Sequence, residues 1–151
     1  MQAFDDIAFY EVPETECRNI TKPTLIKAFV GLYDDEDPDI SYLQQDYADC
    51  SPEEVEKYKA QDAERLQGLR DGQWGFYGIR IEATFLVPIG NGSSKWEAIS
   101  SRGLWGIESD SGKAYFKEVG RDELYELRKE MAQLNISDPF GVLEEIEKQL
   151  A

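Results

Sequence analysis

Histidine is absent from all 151 residues. That excludes histidine-based acid–base catalysis, a serine–histidine triad and most zinc sites. Cysteine occurs only at Cys17 and Cys50, too few for a four-cysteine zinc site. Neither has an evident activating base nearby, so each reads as a small core residue rather than a nucleophile. No apolar run approaches the roughly 18 residues of a membrane span. Residues 1–10 carry two aspartates, no basic residue and no apolar core of a signal peptide. A cytoplasmic chain with reduced thiols is therefore expected. The sequons at Asn19, Asn91 and Asn135 then carry no meaning as glycosylation sites.

Positive charge is also scarce, with 16 Lys and Arg against 31 Asp and Glu, a net charge of −15. The imbalance is uneven. Residues 1–71 hold 18 acidic and 7 basic residues, a net of −11, while residues 72–151 hold 13 and 9, a net of −4. Such a field repels nucleic acid and anionic membrane and draws basic surfaces at enhanced rates. It also serves solubility, with no partner involved. Hydrophobic residues at 41% and aromatics at 12% are enough for a packed core. One domain over 1–151 is expected, burying about two-thirds of the unfolded surface without disulfide or metal.

Residues 74–88 organise the pattern. Tyr77, Ile79, Ile81, Ala83, Phe85 and Val87 share one parity, and Gly78, Arg80, Glu82 and Thr84 the other. This is the alternation of a long strand with one buried face, and Pro88 is expected to end it. A glycine-rich turn at 89–94 leads to a second strand at 95–100. A tight turn at 100–103 leads to a third at 104–108. Together they form an antiparallel meander over about 75–108. The fold class expected is α+β, an antiparallel sheet of three or more strands packed against helices.

Elsewhere, residues 24–33 are apolar and short, a strand or a buried helical turn. Residues 41–48 suggest a short helix. Ser51-Pro52-Glu53-Glu54 is a capping box with proline at the first helical position. It opens a helix whose face carries Val55, Tyr58, Asp62, Leu66 and Leu69 and which ends at Gly68 or at 71–72. Ser109, Asp110 and Ser111 are expected to cap a helix reaching about Leu134, with Tyr115, Val119, Leu124, Leu127, Met131 and Leu134 as its apolar residues and Gly120 as a point of kinking. Asp138-Pro139 opens a last helix with Phe140, Leu143, Ile146 and Leu150 on one stripe.

Motifs for chemistry fail on spacing. Between Gly106 and Gly112 there are five residues rather than four, and Ala114 follows Lys113, so the segment is no phosphate-binding loop. Asp35, Asp37, Asp39 and Asp46 have the spacing of a calcium loop, but Ile40 replaces the glycine of its sharp turn and Pro38 stiffens it. No carboxylate pair is singled out for hydrolysis. No catalytic residue, metal site or cofactor is expected.

What remains is the acidic run of Asp34, Asp35, Glu36, Asp37, Asp39, Asp46, Asp49, Glu53, Glu54 and Glu56. DNA carries one charge per about 1.7 Å of axis, and this run offers carboxylates at comparable density. These residues are the expected partner-binding surface. The bland alternative is a solvated loop plus the acidic first turn that a helix favours.

Gly103-Leu104-Trp105-Gly106-Ile107-Glu108-Ser109-Asp110 and Trp74-Gly75-Phe76-Tyr77-Gly78-Ile79-Arg80 resemble segments of uncharacterised small acidic proteins of phages and plasmids, over roughly residues 40–135. The resemblance implies a mobile-element setting in a bacterial host cell. There, small acidic proteins block host defence, as anti-CRISPR and antirestriction proteins do. It supplies no catalytic residues. The implied partner is a basic, nucleic-acid-binding protein or complex of the host, with no direct nucleic acid binding and no membrane; a homodimer is also allowed. Two rival functions stand beside it. One is an adaptor binding through aromatic residues exposed on the sheet, such as Phe76 and Trp96. The other is a small enzyme with an unrecognised site.

Overall fold

Alternation of apolar and polar residues builds the sheet. In a computed structural model describing residues 5–44, 47 and 49–151, five strands and three α-helices are present among those residues. The strands are β1 (Asp5–Glu11), β2 (Thr24–Asp34), β3 (Phe76–Gly90), β4 (Ser93–Ser100) and β5 (Leu104–Glu108); the helices are α1 (Pro52–Arg70), α2 (Lys113–Gln133) and α3 (Val142–Gln149). This is the expected α+β class. All strand pairs are antiparallel, in the order β1-β2-β3-β4, with β5 also bonded to β3.

The expected parity of β3 is the inward one. Ile79, Ile81 and Ala83 are fully buried, Phe85 nearly so, and Tyr77 and Val87 are half-buried. Opposite them stand Leu32, Val30 and Ala28 of β2, which resolves residues 24–33 as strand. Val119, Leu124, Leu127 and Met131 of α2 join this core, as do Val142, Leu143 and Ile146 of α3 and Leu150 beyond it. Each large side chain so buried contributes about 1.5–3 kcal/mol. Tyr115 and Leu134, expected in that core, lie exposed at the two ends of α2.

Several local expectations are corrected. Pro88 does not end β3, because pairing continues through Pro88 with Ser94 to Gly90 with Ser93. Beyond Leu86 the strand β2 has stopped, so β3 is bonded there on one side only, a position that tolerates proline. Gly120 does not kink α2. It is buried where an added Cβ would meet Leu150 at 3.0 Å, so it permits close packing. Ser109, Asp110 and Ser111 do not cap α2, whose N-cap is Gly112 with no side-chain hydrogen bond. Around residues 41–48 the structure describes only a 3-10 turn at Ser41–Leu43; Gln45, Asp46 and Ala48 lie outside the described residues. Asn19, Asn91 and Asn135, the three sequon asparagines, all have positive φ between 54° and 58°. Asparagine tolerates that conformation, so turn geometry accounts for them.

The segment at 100–103 does not reverse the chain. β4 pairs with β3 from Glu82 to Gly90, and β5 continues on the same edge, pairing from Phe76 to Ile79. Ser101 is buried at the break. Its Oγ accepts from Ile81 N–H at 3.0 Å and donates to Glu123 Oε1 at 2.8 Å, which also accepts from Gly103 N–H at 2.6 Å. A carboxylate of α2 therefore holds the bend.

Helix α1 forms as expected at its start, where Ser51 and Glu54 make both bonds of the capping box. It does not pack on the main core. Val55 is half-buried and Tyr58 exposed. Only the last turns engage, with Leu66 and Leu69 against a second cluster of Leu43, Trp74 and Phe76. Phe76 shares the parity of Gly78 and Arg80, so this cluster roofs one end of the sheet face turned away from α2 and α3.

Candidate partner-binding surface

The residues after β2 divide into those that shape the loop and those that face solvent. Asp35 is half-buried. Its Oδ2 accepts from Gly106 N–H at 2.8 Å and its Oδ1 from Asp37 N–H at 3.3 Å. Gly106 has φ 74° and sits at an irregularity in the β3–β5 register, so Asp35 pins a bulge. Asp39 Oδ1 accepts from Ser41 N–H at 2.9 Å. That bond holds the Asp39 carboxyl below its ordinary range. Asp34, Glu36, Asp37, Asp49, Glu53, Glu54 and Glu56 are exposed. Glu53 and Glu54 also occupy the first turn of α1, where the helix dipole favours them. Asp46 lies outside the described residues.

Ion pairs gather in the later part of the chain. Among the described residues every ion pair joins partners from Arg65 onward, from Arg65 with Glu108 and Asp110 to Lys148 with Glu145. Among the described residues, no carboxylate of residues 34–56 takes part in one.

An ordered base supports the acidic run. Arg65 of α1 is clamped by Glu108 and by both oxygens of Asp110, each at 2.7 Å. Its guanidinium lies 3.7 Å over the Trp74 ring, whose Nε1–H donates back to Arg65 O at 2.9 Å. Tyr42 O–H donates to Glu108 at 2.7 Å. Burial, then that bond, raises the Tyr42 phenol. The Tyr47 hydroxyl donates to Asp62, and that bond pushes the Tyr47 phenol up to about 12. Arg65 and Asp110 are 45 residues apart, so sequence reasoning missed the clamp. The loop before α1 and the helix itself are thus tied to β5, although most of α1 stays exposed.

The sheet face away from α2 and α3 holds a second arrangement that sequence alone did not single out. Tyr33 is fully buried there, with the Arg80 guanidinium 4.6 Å from its ring centre and Trp105 at 6.0 Å. Arg80 pairs with Glu82 at 2.8 Å. The Tyr33 hydroxyl and Arg80 Nε are enclosed without a well-formed hydrogen bond. Burial dominates in raising the Tyr33 phenol. Of the two aromatics expected to be exposed on the sheet, Phe76 is buried and Trp96 is 59% exposed. Cys17 packs against the main core, and burial followed by neighbouring Glu14 and Glu16 raises its thiol. A thiol so raised is a poorer nucleophile at neutral pH.

Comparison with family models, curated proteins and solved structures finds no match to this chain. No helix of the described residues is long and apolar enough to cross a membrane.

Proposed function

We propose that the protein is a non-enzymatic inhibitor of a nucleic-acid-handling host defence protein. It acts by presenting Asp34, Glu36, Asp37, Asp49, Glu53 and Glu56 to a basic groove that otherwise grips phosphates. Asp35 and Asp39 shape the loop between β2 and α1 that holds Glu36 and Asp37. The supporting observation is that Asp34, Glu36, Asp37, Asp49, Glu53 and Glu56 are exposed and that none is in an ion pair among the described residues. A surface already folded loses less conformational freedom on binding than a flexible polyanion does. The setting is the cytoplasm of a bacterial host cell.

The test has two stages. A pull-down from host lysate, read by mass spectrometry, identifies the partner. Surface plasmon resonance across a salt series then compares the protein with a variant in which Asp34, Glu36, Asp37, Glu53 and Glu56 become Asn or Gln. The variant should associate more slowly and with a flatter salt dependence, since rim charges act mainly on association. DNA or RNA should compete with the protein for the partner. Equal binding by the variant, or simultaneous occupancy by nucleic acid, overturns the proposal.

A further inference from the structure

The two edges of the sheet are treated differently. On the β1 edge, Phe9 N–H donates to Gln149 Oε1 at 2.8 Å, and Phe9 O accepts from Gln149 Nε2 at 2.7 Å. A side-chain amide of α3 thereby occupies the bonds a neighbouring strand would make. Covering an edge in this way is how proteins prevent strand addition. Among the described residues the β4 edge has no such cover. Every residue of β4 except Ile99 is exposed, and Trp96 is 59% exposed.

We propose that β4 pairs with β4 of a second copy of this chain, antiparallel about a two-fold axis at Trp96. The hydrogen-bond phase allows it. Ser101 N–H donates to Ile81 O at 2.9 Å and the β3–β4 register runs unbroken from Glu82 to Pro88. In an antiparallel ladder bonded and non-bonded positions alternate. Lys95, Glu97 and Ile99 therefore turn their peptide groups toward β3, and Ser94, Trp96, Ala98 and Ser100 turn theirs outward. Centring the axis on Trp96 places two outward-facing residues opposite each other. It also sets Lys95 beside the partner's Glu97 and Glu97 beside the partner's Lys95. An isologous interface needs such self-complementarity. The two tryptophans meet on the same face, an aromatic cross-strand pair.

Charge selects this edge over the rest of the surface. Residues 83–107 hold Lys95 and Arg102 against Glu97, a net of +1 in a chain of −15. Two copies repel one another over most approaches, but not here. The pairing would join two five-stranded sheets through their β4 strands and leave both acidic runs free. It does not depend on what those runs bind.

The test exchanges the charges. Analytical ultracentrifugation of the wild-type chain should find a dimer that dissociates on dilution. Lys95→Glu and Glu97→Lys each set like charges against each other twice, and each should weaken self-association by about tenfold or more. Mixing the two variants restores opposite charges at both contacts, so a heterodimer should form where neither variant self-associates as tightly. The double exchange Lys95→Glu with Glu97→Lys should dimerise like wild type. Unchanged circular dichroism confirms that these exposed substitutions leave the fold intact. A wild-type chain that stays monomeric up to about 1 mM, where association would be worth only about 4 kcal/mol, overturns the proposal. So does dimerisation indifferent to both substitutions, or an unrelated protein's strand captured at β4 by a monomeric chain.

Discussion

Trp105 packs onto Gly78 so closely that a Cβ added to the glycine would sit 2.0 Å from the indole Cε3. The contact follows from the bulge at Gly106, which turns Trp105 across β3 and over Tyr33. Gly78→Ala should therefore expel the indole from its seat. Overpacking of this kind costs about 1–3 kcal/mol. Thermal melting should fall by several degrees and tryptophan emission should shift to the red. Adding Trp105→Ala to Gly78→Ala should relieve the clash, so the double variant should lose less than the sum of the two single losses. Strictly additive losses would mean that the two side chains do not compete for space.

Ser101 offers a test of the break between β4 and β5. It is buried and satisfies the Ile81 amide, which has no other partner drawn from β4. Ser101→Ala leaves that amide unpaired, at a cost of about 1–3 kcal/mol. Glu123→Gln keeps an oxygen able to accept from Gly103 and Ser101 and should cost less. Urea unfolding of both variants ranks the two losses, and faster exchange of the Ile81 amide in Ser101→Ala would locate the first. A larger loss in Glu123→Gln would assign the bend to charge rather than to the serine hydroxyl.

The clamp on Arg65 should make stability depend on pH. Hydrogen bonding to Arg65 holds Asp110 below its ordinary value of 3.8. A group depressed on folding stabilises the fold above its unfolded value, and that stabilisation is lost as pH falls through the folded value. Arg128 depresses Glu147 in the same sense. The stabilisation should therefore be complete at neutral pH, begin to fall as pH approaches about 4, and be lost only below the depressed folded values. Arg65→Met should melt lower than wild type at pH 7, and the gap should narrow toward pH 3. A gap independent of pH would assign the role of Arg65 to packing on Trp74 alone.

Burial sets apart two positions that the sequence pattern treats alike. Ile81 is fully buried, whereas Val55 on α1 is only half-buried near a helix end that touches little. Ile81→Asp strands a carboxylate in the core at a cost of several kcal/mol, on the order of the whole stability, and should unfold the protein. Val55→Asp should shift melting by no more than a few degrees. Circular dichroism melts of the pair decide the point, and a folded Ile81→Asp protein would place the core on the other face of β3.

Sequence made some of this legible because the causes are local. Period-two alternation located the buried face of β3, and Ser51 with Glu54 located the start of α1, since both depend on residues within a turn or two of each other. Long-range partners defeated the same reasoning. Asp110 reads as a helix cap until Arg65 is seen beside it. Residues 100–103 read as a reversing turn because nothing local reveals that Glu123 holds Ser101 and Gly103 in line. Helix α1 has an apolar stripe, but periodicity cannot say whether a stripe meets the main core or only a small cluster at one end. The acidic run was visible in the sequence. That Asp35 is consumed in bracing Gly106 while Asp34 faces solvent was not.

The amide of Gln149 that closes the β1 edge lies 140 residues from the peptide it covers. At about 5–20 residues per second of synthesis, Gln149 is made roughly 7–28 seconds after Phe9. Until then the peptide of Phe9 lacks the partner that Gln149 supplies in the folded chain.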